Sequence, residues 1–191
     1  SMSGETVDLF KVVDELALAE AVRSDLRPVL ESYEADLDRS LVERQQVRIS
    51  QQEAMQIGGG PQYMAKMQDM MARSREAAMK VREVNRRYGR QVKGLLPEVQ
   101  QAAFESKLSV LSMPEVYGPS RASRLFDAAD GLEDLTAEQR RALADLREAY
   151  RREASALNDA WARAIEAEEA DPAAGTVFFG GGAMRIAVNY G

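Results

Sequence analysis

Gly58-Gly59-Gly60-Pro61 separates two long amphipathic stretches, and this arrangement constrains the fold more than any other feature of the chain. A glycine run stops a helix, because glycine takes the backbone out of the helical region at no steric cost. Proline suits the first turn of the next helix, where its missing N–H has no partner to lose. Upstream, Leu26, Leu30, Tyr33, Leu37 and Leu41 recur at helical spacing. Downstream, Tyr63, Met67, Met70, Ala77, Val81, Val84, Tyr88, Val92 and Leu95 do the same. Thirty-odd residues rising about 1.5 Å each make a rod of about 50 Å. Two such rods on a short turn predict an antiparallel helical hairpin.

The rest of the chain continues the helical theme. Val7, Phe10, Val13, Leu16 and Leu18 predict a helix over 7–22. Pro28 is tolerated in a first turn and costly in an interior. Asp25 is therefore expected to cap a new or sharply kinked helix that runs to about Ile57. Leu96-Pro97-Glu98 breaks the second rod and starts a shorter helix with Phe104, Leu108 and Leu111 on its apolar face. Residues 112–134 read as a connection, with one short helix around 123–129. A last long helix begins at Thr136, with Leu143, Leu146, Tyr150, Ala154, Leu157, Trp161 and Ile165 as its expected buried stripe. Asp171-Pro172 ends it. Beyond that, Thr176 to Tyr190 reads as strand, glycine turn and strand, a short β-hairpin or an irregular tail. The predicted fold class is all-α, with a helical domain over 1–172 and a Gly-rich tail over 173–191.

Composition narrows the chemistry. The chain has no Cys and no His, so thiol chemistry, disulfides, Cys/His zinc sites and His acid–base catalysis are excluded. No nucleophile–base pair or metal set can be assembled from its motifs, and an enzyme is not expected; no cofactor is expected either. The net charge is −6, which speaks against nucleic acid as a partner. No run of 18 apolar residues exists to span a membrane. Ser1-Met2 resembles a cloning remnant, so a leader removed ahead of it is the expectation.

Charge is segregated by helix. From Pro61 to Leu95 nine Lys/Arg face three Asp/Glu, a balance of +6, while the segments on either side are each acidic. At 100° per residue, Met64, Met71, Arg75, Met79, Arg82, Arg86, Arg90 and Lys93 form one stripe beside the core face. Flexible thioethers next to cations make an adaptable surface for varied apolar and acidic segments, and these eight are the candidate client-binding residues. The plainer reading is that the basic helix faces its acidic neighbours. Met64, Met67, Met70 and Met71 also have a spacing that a soft metal ion can use, but without His or Cys beside them no metal site is assigned. Glu166, Glu168, Glu169 and Asp171 read as a solvated acidic face.

Leu135-Thr136-Ala137-Glu138-Gln139 is a helix start with a reciprocal cap. The Thr136 hydroxyl can accept from the Gln139 N–H, and the Gln139 side chain can accept from the Thr136 N–H. The stretch has an echo 117 residues earlier, where Leu18, Arg23, Leu26, Glu31 and Tyr33 precede Leu135, Arg140, Leu143, Glu148 and Tyr150. Leu135, Thr136 and Gln139 carry the Leu-Thr-x-x-Gln motif, and the segment to Glu169 resembles the Spy/CpxP family of small helical periplasmic proteins. Leu96-Pro97-Glu98-Val99-Gln100 resembles a degenerate second copy. The resemblance spans roughly 7–170 with one intact motif. It implies an all-α, cradle-like fold, a homodimer, a periplasmic location and an ATP-independent chaperone for unfolded or partly folded proteins. The alternative is a regulatory module for one partner such as an envelope stress sensor. A metal-sensing branch is implied only where His ligands exist, and this chain has none. A thin helical layer also leaves one apolar side open in a monomer, which independently favours self-association.

Overall fold

A computed structural model describes residues 2–56 and 63–171, the side chains of Met55, Gln56, Tyr63 and Met64 excepted. The described residues form seven α-helices and no strand. They are α1 (Leu9–Asp14), α2 (Glu20–Gln56), α3 (Tyr63–Leu95), α4 (Glu98–Ser112), α5 (Pro114–Tyr117), α6 (Arg121–Asp130) and α7 (Ala137–Ala170). The all-α class is as predicted. The glycine turn at 58–61 and the tail over 173–191, with its expected β-hairpin, lie outside the described residues.

α2 and α3 lie along each other as the long hairpin. Asp25 is not a cap: α2 starts five residues earlier and carries Pro28 in its interior. An interior proline costs about 3 kcal/mol. Leu26 and Tyr33, both fully buried, flank it and offset that cost by anchoring the helix in the core. Burial of these side chains, and not local propensity, decides that α2 is one helix here.

The core sits at one end of the hairpin. Leu9, Val12, Val13 and Leu16 of the N-terminal region close over Leu26 and Tyr33 of α2, Tyr88 and Val92 of α3, and Phe104 of α4. Gly89 lets α4 come close: a Cβ there would stand 3.2 Å from Leu108 Cδ2. Toward the free end of the hairpin the packing thins. Leu41, Val42, Ile49 and Met71 are exposed there. Leu95, expected on the buried stripe, is exposed, and its neighbour Leu96 takes the core position.

α7 differs most from expectation. It lies against α5 and α6, and only Ala162 is buried along its length. Leu146, Leu157 and Trp161, predicted to be buried, are 61%, 69% and 42% exposed. The packed side keeps Leu143, Tyr150, Ala154 and Ile165 of the predicted stripe, all half-buried, and adds Arg147, Asn158 and Ala162, a face turned by roughly 40° from that stripe. Two anchors hold the helix in that rotation. At one end, Arg147 donates to the Phe126 carbonyl (2.7 Å) and pairs with Asp130 (2.6 Å) of α6. At the other, Ala162 and Ile165 pack on Met113 and Val116.

Candidate functional site

The Thr136 motif sits at the start of α7 and forms the predicted capping box. Thr136 Oγ1 accepts from the Gln139 N–H at 3.2 Å, and Gln139 Oε1 accepts from the Thr136 N–H at 2.9 Å. Leu135 is half-buried beside them. Both polar groups are spent on the helix start, so the motif acts locally.

The Met/Arg stripe lies on α3, and the structure divides it in two. Arg75, Arg82 and Arg86 turn toward the C-terminal end of α7. Arg82 is buried and donates to Glu169 at 2.7 Å. Arg86 pairs with Glu166. Arg75 reaches the backbone carbonyls of Glu168 and Glu169. Met71 and Met79 are exposed. Arg90 is exposed and pairs with Glu83 along the same helix. Lys93 pairs with Glu105 of α4. The side chain of Met64 lies outside the described residues. Arg86, Arg90 and Lys93 line a groove of about 430 Å³ floored by Phe104 and Leu108. Met71 and Arg75 border another of about 590 Å³ with Arg44 and Arg48.

A polar knot made by the N-terminal segment was not anticipated from the sequence. Gly4 adopts a positive φ of 72°, which turns the segment into the body. Asn85 Nδ2 donates to the Gly4 carbonyl (2.8 Å) and the Glu5 carbonyl (3.3 Å). Tyr33 donates to Asn85 Oδ1 at 2.9 Å. Ser3 donates through its N–H and its hydroxyl to Glu169, each at 2.6 Å. Glu5 pairs with Arg44. Burial pushes the Tyr33 hydroxyl up to about 12, with the Asp8 charge nearby acting in the same direction. On the opposite flank, Asp36 accepts from Tyr88 at 2.8 Å and pairs with Arg87 and Arg39. The Tyr88 hydrogen bond, then the two guanidinium groups, hold its carboxyl below the usual range against some desolvation.

One signal for the α7 contact was present in the sequence. Glu166, Glu168 and Glu169 crowd the last turn of α7, which has no basic residue. The C-terminal end of a helix is its negative pole, so carboxylates there need cations from elsewhere. The acidic run is thus only in part a solvated face: Glu166 and Glu169 pair with α3, while Glu168 and Asp171 are exposed. Among the described residues, no group of three or more Asp or Glu side chains is placed to hold a metal ion, and no helix is long and apolar enough to cross a membrane.

What remains open is an apolar strip on α7. Leu157 and Trp161 share it with Ala156, Ala160 and Ala164, all of them exposed, and Ala142 and Leu146 lie on the same face beyond the exposed Glu153. Small side chains between large ones permit a close approach by another helix or an extended segment. No protein-family model, no curated protein and no solved structure matches this chain.

Proposed function

We propose that this chain is an ATP-independent, chaperone-like binding protein of the Spy/CpxP type, which holds unfolded or partly folded proteins in the periplasm. The observation that carries the reading is the uncovered strip of α7, with Leu157 69% exposed on a helix that runs 34 residues. Exposed large apolar side chains grouped on one helix face, as Leu157 and Trp161 are, mark an interaction site. The exposed methionines of α3, Met71 and Met79, add a second adaptable patch. The capped Leu-Thr-x-x-Gln start of α7 is the feature shared with that family. Binding through such surfaces needs no cofactor and no catalysis.

An aggregation assay with a chemically denatured client tests this. Equimolar protein is expected to suppress light scattering, and the Leu146→Lys, Leu157→Lys variant to lose that effect while staying folded. Undiminished scattering with the parent protein would sink the chaperone reading. A regulatory module with one partner is the second reading. It is favoured by the alanine row at Ala156, Ala160 and Ala164, spaced by four, which fits a single helix better than a disordered client. A pull-down that yields one saturable complex, with no general suppression of aggregation, would select it.

A further inference from the structure

The end of α7 is held by a set of groups that matches the chemistry of a helix terminus. Arg82 and Arg86 stand four residues apart on one face of α3, and Glu166 and Glu169 stand three apart on one face of α7. Arg75 addresses the Glu168 and Glu169 carbonyls, two of the last four in the helix, and shares Glu168 with the capping Asp171 N–H (3.2 Å). The site thus meets both the carboxylates and the carbonyl pole. It is built, since the side chain of Arg82 is only 9% exposed and that of Glu169 18%. Apolar support for the same end is slight: Ala162 and Ile165 on Met113, Val116 and Tyr117.

We propose that Arg75, Arg82 and Arg86 form a seat for an acidic helix C-terminus, filled in cis by α7 and open to exchange with the acidic helix end of a bound protein. The incoming helix would carry two carboxylates three residues apart in its last turn and leave its final carbonyls free. The choice of a protein as occupant rests on the binding-module reading. The seat itself rests on the geometry alone. Exchange would free the C-terminal end of α7 and detach Ser3 from Glu169, which couples occupancy of the seat to the N-terminal segment.

The test uses the full chain with no aggregating client present, so its outcome is separate from that of the scattering assay. The probe is a fluorescein-labelled, amidated peptide of residues 157–171. It is expected to bind the Glu166→Gln, Glu169→Gln variant at least about tenfold more tightly than the parent chain, where the seat is occupied. Binding should weaken as salt rises from about 0.05 to 0.5 M. It should disappear when Arg82→Gln and Arg86→Gln are added. Equal binding to parent and variant, no binding to either, or binding that survives loss of the arginines would overturn the proposal. If circular dichroism shows that the Gln variant has lost its helix, a charge swap decides. Arg86→Glu is expected to speed amide hydrogen exchange over residues 160–170 of α7, and Arg86→Glu with Glu166→Arg to restore the protection. Failure of the swap to restore it would equally refute the seat.

Discussion

At the scale of single residues, polar groups in this protein act mainly by satisfying backbone. Thr136→Ala removes the cap oxygen and should cost about 1 kcal/mol, whereas Thr136→Ser should be nearly neutral. Urea denaturation of the two variants checks this, and equal losses would mean that the hydroxyl is not the cap. Asn85 has a larger task, because it meets the Gly4 and Glu5 carbonyls and the Tyr33 hydroxyl, which also reaches the Val7 carbonyl at 3.3 Å. Asn85→Ala leaves buried groups unpaired and is expected to cost about 2–3 kcal/mol. Tyr33→Phe removes one donor and should cost about 1 kcal/mol. The Tyr33 hydroxyl also sets an alkaline limit. Its folded pKa of about 12 lies above the ordinary tyrosine value of 10.0, so its contribution to stability is complete below pH 10 and falls between pH 10 and 12. Stability measured across that window should decline less steeply in Tyr33→Phe than in the parent chain.

At the scale of elements, identical residue types have different roles according to which helix face they occupy. Phe104 is fully buried among four elements, and Phe104→Ala should cost about 3–5 kcal/mol. Leu157 belongs to an apolar stripe that looks equally core-like in the sequence, yet it is 69% exposed. Leu157→Ala is therefore expected to shift stability by less than about 0.5 kcal/mol. A loss comparable to that of Phe104→Ala in chemical denaturation would show that the strip is buried in solution. The 117-residue echo illustrates the same point. Leu26 and Tyr33 are fully buried in α2, while Leu143 and Tyr150, their counterparts in α7, are only half-buried.

At the scale of the whole molecule, the distribution of core is uneven. Buried side chains cluster where the N-terminal segment, α1 and α4 close over one end of the hairpin, and both the far end of the hairpin and the outer face of α7 stay open. Such a molecule gains by covering apolar surface with a second copy. A homodimer is expected by light scattering at micromolar concentration, with Val42→Lys, Ile49→Lys at the open end of the hairpin shifting it to monomer while circular dichroism is unchanged. A strictly monomeric parent chain would refute self-association.

The sequence by itself determined the elements. Periodicity, Pro97 and the Thr136–Gln139 cap specify where α4 and α7 start, because those choices depend on contacts within a few residues, whereas the helix expected over 7–22 ends at Asp14 and the short α5 was read as connection. Pro28 marks the limit of that logic: only burial of Leu26 and Tyr33 explains why α2 runs through it. The stripe on α3 was legible as a row of cations, and its division was not. Which carboxylates Arg75, Arg82 and Arg86 meet depends on where α7 lands. Its rotation was likewise decided by tertiary contacts, through Arg147 on α6 and Ala162 on α5, which bring residues more than 20 positions apart together and leave Leu146, Leu157 and Trp161 outside. A helix pattern says which side is apolar. Only the packed molecule decides whether anything covers that side.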